Sequence, residues 1–135
     1  MKLDKLKIFY LSLGIVGFVI FIWTGRILRF GYPVKEDLDM GFRVMLRSRH
    51  IFLLLFSLTE LGIGTYIQQS ANRIRLGIQT LATILIVAAH VLFLNGFFNE
   101  VNVESIPETP VIHWATYLAV AGILLHLATT IKKRN

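Results

Sequence analysis

The chain has 135 residues, room for one domain; 55% of them are hydrophobic and only 16% charged. A soluble domain carries about a quarter charged residues, and here the charges cluster between long uncharged runs, the pattern of a chain dissolved in lipid. The absence of cysteine excludes disulfides, thiolate-bound zinc, iron–sulfur clusters and covalent c-type haem, and the net charge of +6 flanks apolar runs, which points to anionic lipid head groups and not to nucleic acid.

The chain starts with Lys2, Lys5 and Lys7 ahead of an apolar run, as a signal peptide does. The run is long for such a peptide and no Ala-x-Ala cleavage pattern follows, so a retained first helix is expected. Four runs are long enough to cross the roughly 30 Å hydrocarbon layer with about 20 residues each. They cover about 8–30, 44–67, 74–98 and 111–131. In lipid a backbone must satisfy its own hydrogen bonds, so each run is predicted to be helical. Pro33 stops the first helix because it has no N–H to donate. Gln68 to Asn72 is a tight polar turn, and the segment 99–110 is acidic through Glu100, Glu104 and Glu108. Short links force neighbouring helices antiparallel, so the expected fold is an all-α, up-down-up-down four-helix transmembrane bundle.

Lys and Arg in short loops set orientation. One side collects Lys2, Lys5, Lys7, Arg73, Arg75, Lys132, Lys133 and Arg134; the other collects Arg26, Arg29, Lys35, Arg43, Arg47 and Arg49. The excess places both termini in the cytoplasm, in an inner-membrane arrangement, and leaves the far-side arginines wanting an explanation. Trp23, Tyr32 and Trp114 fall near the far-side boundary as interface anchors.

Ionisable groups inside spanning helices are costly and are functional candidates by default. At 1.5 Å of rise per residue, His50 and His113 lie about 2 and 4 Å from the far-side edge, His90 about 12 Å, Glu60 about 16 Å and His126 about 24 Å. On the second helix His50, Leu53, Ser57, Glu60, Gly64 and Ile67 follow the three-and-four spacing of a packed seam; on the third, Gln79, Thr83, Ile86, His90, Phe93 and Phe97 do the same. These stripes are expected to share an interior. On the fourth helix Ala115, Ala119, Gly122, His126 and Thr129 form a small-residue face that lets backbones approach. His113 sits well round that helix from His126. Gly14 and Gly17 thin the first helix for close packing.

The sharpest functional expectation is a b-type haem held by two histidines for electron transfer or haem handling. His50 would be one ligand, with His113 or His90 opposite. Arg47, Arg49, Arg26 and Arg29 would hold the propionates, since guanidinium forks suit carboxylates. A different class is an accessory subunit of a larger membrane complex, or a homo-oligomer, whose buried Glu60, Thr83 and His126 specify helix packing. A third is a proton- or ion-conducting oligomer: at mid-bilayer, low-dielectric surroundings penalise the charged form of Glu60, and an imidazole is a partner for its proton. His/His/Glu also suits zinc, iron or copper, but no short ligand spacing such as His-x-x-His occurs. With every aspartate outside the spans, no Gly-x-Ser-x-Gly turn and no phosphate-binding glycine loop, a carrier or accessory protein is expected in preference to an enzyme.

Overall fold

The computed structural model describes residues 5–30, 40–99 and 110–130, all in helices except the turn 67–72. The acidic segment, both ends of the chain and Tyr32 lie outside the described residues. Four helices follow in order: α1 (Lys5–Phe30), α2 (Met40–Tyr66), α3 (Arg73–Asn99) and α4 (Pro110–Thr130). Three stretches, Lys5–Phe30, Arg73–Asn99 and Val111–Thr130, are long and apolar enough to cross a membrane. The helix α2 has the same length as α3 but is less apolar, because Arg43, Arg47 and Arg49 crowd its first half and Glu60 its second.

Contacts fix the directions. Gly14 meets Leu61, Gly17 meets Ser57, Gly25 meets His50 and Gly64 meets Leu11, so α1 and α2 run antiparallel along most of their length. Phe56 against Phe93 and Glu60 against His90 set α2 antiparallel to α3. Gly122 against Ile86, and Ala115 and Ala119 in one cluster with Phe93 and Phe97, do so for α4. The chain is therefore an up-down-up-down helical bundle of membrane-protein type. Its outward faces are largely apolar: Ile15, Val19, Leu55, Leu58, Ile84, Val91, Val120 and Leu124 are all exposed, far more apolar surface than a water-soluble monomer shows.

Close approach is concentrated within the hairpins α1–α2 and α3–α4. A Cβ on Gly14 would sit 2.9 Å from the Ser57 carbonyl oxygen, and one on Gly122 would sit 2.9 Å from the Ala82 carbonyl oxygen. At both positions only hydrogen fits between the backbones, the small-residue contact by which membrane helices associate. The hairpins meet through larger side chains: Leu53 and Phe56 of α2 pack with Ala89, Phe93 and Phe97 of α3 and Ala115 of α4. The turn between them is latched by Gln79, whose Oε1 accepts from the Ser70 N–H at 3.0 Å while its Nε2 donates to the Gln68 carbonyl at 3.0 Å. Asn72 caps α3 by accepting from the N–H groups of Ile74 and Arg75.

Candidate functional site

The seams expected on α2, α3 and α4 all turn inward: apart from half-buried His50 and Thr83, every member of the three stripes is buried. Inside, the histidines of α2, α3 and α4 that are shielded from the surface stand in three polar layers.

The middle layer is a pair. Glu60 is fully buried and His90 nearly so, and His90 Nδ1 lies 2.7 Å from Glu60 Oε1. The second carboxyl oxygen, Oε2, is buried with no hydrogen-bond partner among the described residues. Ser57 spends its hydroxyl proton on the Leu53 carbonyl of its own helix at 2.8 Å, the usual i−4 bond for a helical serine. Gly17 of α1 leaves the space that the His90 ring fills.

The layer towards the α2–α3 turn is built on Tyr10. Its hydroxyl lies 3.0 Å from Thr83 Oγ1 and 2.5 Å from His126 Nε2. The proton positions follow from the partners. Thr83 donates to the Gln79 carbonyl at 2.8 Å, so it can only accept from Tyr10. Having donated to Thr83, Tyr10 accepts from His126, which therefore carries its proton on Nε2 and presents a bare Nδ1. That Nδ1 is buried without a partner among the described residues.

In the layer nearest the other end, His50 stacks on Phe21 with ring centroids 4.2 Å apart and planes 13° from parallel. Thr24 donates to the Phe21 carbonyl at 3.0 Å, so at 3.2 Å it can only accept from His50 Nδ1. His50 is thereby held as the Nδ1–H tautomer, with Nε2 as the available lone pair, on the ring edge that lies against Gly25.

Of the sequence candidates, the structure joins Glu60 to His90 and Thr83, through Tyr10, to His126. It does not join His50 to a second histidine. His113 shares the depth of His50 but its side chain is exposed on the outer side of α4, and His90 lies near Glu60, ten residues along α2 from His50. Nor do the arginines gather. Arg49 is 3% exposed and donates to the Gly96 carbonyl of α3 at 3.4 Å, whereas Arg26, Arg29 and Arg47 are exposed and Arg29 lies over the Phe30 ring. Among the described residues no group of three metal-ligating side chains forms.

Tyr10 and Thr24 are the residues that sequence reasoning missed. The signal was there: Tyr10, Gly14, Gly17, Phe21 and Thr24 repeat the same three-and-four spacing as the other seams, and all but half-buried Phe21 are buried. Compared with protein-family models, with curated proteins and with solved structures, the chain gives no match.

Proposed function

We propose that the protein handles protons within the membrane, with the Glu60–His90 pair as the mid-membrane step of a proton-conducting path. The observation that carries this reading is the buried 2.7 Å contact between a carboxyl and an imidazole, with the second carboxyl oxygen left without a partner among the described residues. Sheltering two ionisable groups from water is costly, and intramembrane carboxyl and imidazole groups in series are the pattern of proton relays. An imidazole takes a proton on one ring nitrogen and releases one from the other, and a carboxyl does the same between its two oxygens. The Tyr10–His126–Thr83 layer stands about 10 Å from the pair, counted from Thr83 to His90 along α3, and the His50–Thr24 layer lies on its other side. Together the three layers hold hydroxyl, imidazole and carboxyl groups through much of the bundle's depth, which supports this reading.

The test is proton flux into proteoliposomes carrying a trapped pH dye and a valinomycin-clamped potential. Wild type is expected to conduct, Glu60→Gln and His90→Gln to lose most of the flux, and Thr59→Val, at a residue beside the pair in sequence but hydrogen-bonded only to its own helix, to keep it. Equal flux through wild type and Glu60→Gln would remove the reading and leave the pair as a device for helix register, as in an accessory subunit.

A b-type haem on His50 is a second reading, supported by one observation. Thr24 holds the Nδ1 proton of His50 and leaves Nε2 as the lone pair, the outer-shell arrangement that orients histidine ligands towards a metal. Its test is the spectrum of protein purified after haem-supplemented expression: a Soret band that shifts on dithionite reduction and is lost in His50→Ala. Colourless protein would rule the reading out.

A further inference from the structure

Within each hairpin the contact reaches backbone. A Cβ on Gly14 would lie 2.9 Å from the Leu61 nitrogen, one on Gly64 2.8 Å from the Leu11 nitrogen, and one on Gly122 2.9 Å from the Ala82 oxygen. Helices packed that closely have no room to slide, so each pair behaves as one body. Between the hairpins the contact is through side chains. Phe52 and Phe56 of α2 lie against Phe93 of α3 with ring centroids 5.9 and 5.2 Å apart, and Gly17 of α1 faces the end of the His90 ring. Where α2 faces α4 this seam is incompletely filled: it holds a hollow of about 170 Å³ between Phe56 and Ala119 and another of about 260 Å³ between Ile63 and Ile123. In the order of the helices, the α2–α3 turn is the chain's one link from the first hairpin to the second.

We infer that the two hairpins are rigid halves that part about the Gln79 latch, and that this parting admits water to the buried Glu60 carboxyl. Three polar contacts cross the seam, at increasing distance from the latch. Counted along α3 from Gln79, Thr83 with its bond to Tyr10 is about 6 Å away, His90 with its bond to Glu60 about 16 Å, and Gly96 with its bond to Arg49 about 26 Å. An opening of about 3 Å at His90, the diameter of a water, is by the same lever about 1 Å at Thr83 and about 5 Å at Gly96. The Tyr10 layer therefore stays near the pivot, and the Arg49 bond must break. At 3.4 Å it is the longest hydrogen bond crossing the seam among the described residues, so it serves as the clasp. The closed form shown by the structure is fully sealed at Glu60, and it leaves Oε2 without a donor among the described residues. Water entering an open seam supplies that donor, while the aromatic contacts with Phe93 favour closure. The two forms offset one another, as a hinge requires. The motion asks only that Glu60 be hydrated, whether or not the pair conducts protons.

The experiment is double electron–electron resonance on the full chain in phosphatidylcholine nanodiscs. The chain has no cysteine, so paired cysteine substitutions put spin labels only where they are wanted. Ser48 and Asn95, exposed beside Arg49 and Gly96, report across the seam; Ile22 with Ser48, and Asn95 with Tyr117, all exposed, report within the hairpins. The Ser48–Asn95 pair is expected to show two distances differing by about 5 Å, and each within-hairpin pair a single one. Arg49→Ala removes the clasp and should raise the longer component; if wild type shows the shorter distance alone, this variant must bring the longer one out. Adding Glu60→Leu, which leaves no carboxyl to hydrate, should lower the longer component about tenfold, the ratio set by a buried acceptor that lacks a donor. The inference is overturned by a single Ser48–Asn95 distance in both wild type and Arg49→Ala, by within-hairpin pairs that shift as much as the cross-seam pair, or by a longer component that Glu60→Leu leaves unchanged. These distances decide the matter whatever the proteoliposome flux of Glu60→Gln proves to be.

Discussion

Gly17 of α1 lies where a side chain would strike His90. A Cβ built there lies 2.9 Å from His90 Cε1 and 2.6 Å from Ser57 Oγ. The glycine is therefore part of the Glu60–His90 arrangement although it touches no proton. Gly17→Val is expected to push the imidazole out of line with Glu60 Oε1 and to cost about 1–3 kcal/mol, the range for overpacking a filled interior. Unfolding in SDS-mixed micelles measures the stability, and the His90 ring 15N shifts report the lost contact. A variant with unchanged shifts and stability would mean that α1 yields freely here.

The pair itself is best dissected by a double-mutant cycle. Removing His90 leaves a fully buried carboxyl without the one hydrogen-bond partner it has among the described residues, while removing both leaves apolar groups in an apolar interior. His90→Leu is expected to cost about 3 kcal/mol or more. Glu60→Leu with His90→Leu should cost less than the sum of the single changes. Measured couplings between membrane helices reach about 1.7 kcal/mol at most, and a value near that ceiling is expected, because the contact is short and neither partner reaches water. Additive single effects would show that the two side chains do not interact.

Tyr10→Phe keeps the ring and deletes the hydroxyl. Thr83 then loses its incoming donor and His126 its acceptor at Nε2, so two groups are stranded by one atom. The expected loss is about 1–3 kcal/mol, the cost of leaving buried polar groups unsatisfied. Phe9→Leu, at an exposed neighbouring position, should fall within about 0.5 kcal/mol of wild type. Equal stability of Tyr10→Phe and Phe9→Leu would place the Tyr10 hydroxyl outside the network.

How much of this was legible beforehand depended on whether the signal lay within one helix or between helices. The four helices, their antiparallel order and the inward stripes follow from hydropathy and a three-and-four spacing, which depend only on a helix and its surroundings, although only three of the four helices are apolar enough to cross a membrane. The meeting of Glu60 with His90 was accessible too, since both stand on inward stripes at similar depth. His126 was expected among the buried polar residues and is buried, but its hydrogen-bond partner was invisible: Tyr10 lies 116 residues away, and a tyrosine near the start of an apolar run looks like an interface anchor. His113 shows the converse. Depth paired it with His50, but depth says nothing of rotation about the helix axis, and the small face of α4 that packs on Ala82 and Ile86 turns His113 outward.

Two arginines separate what charge patterning reads from what packing decides. Arg47 and Arg49 look alike in the sequence, two basic residues at one end of α2, and both count equally in an orientation argument. In the bundle Arg47 is exposed, while Arg49 is buried and reaches the Gly96 carbonyl near the end of α3. Arg49 thus ties the two hairpins together at the end where α3 runs out of its own backbone donors, since the last carbonyls of a helix have no intrahelical partner. Arg47→Ala should therefore change stability by less than about 0.5 kcal/mol. Arg49→Ala should cost about 2 kcal/mol or more, from the vacated volume and the released carbonyl together. Arg49→Lys should recover only part, because an ammonium on a flexible stem lacks the planar fork. The measurement is SDS-driven unfolding of the three variants in parallel. If Arg47→Ala and Arg49→Ala prove equally mild, Arg49 does not join the hairpins, and both arginines then act only at the membrane surface.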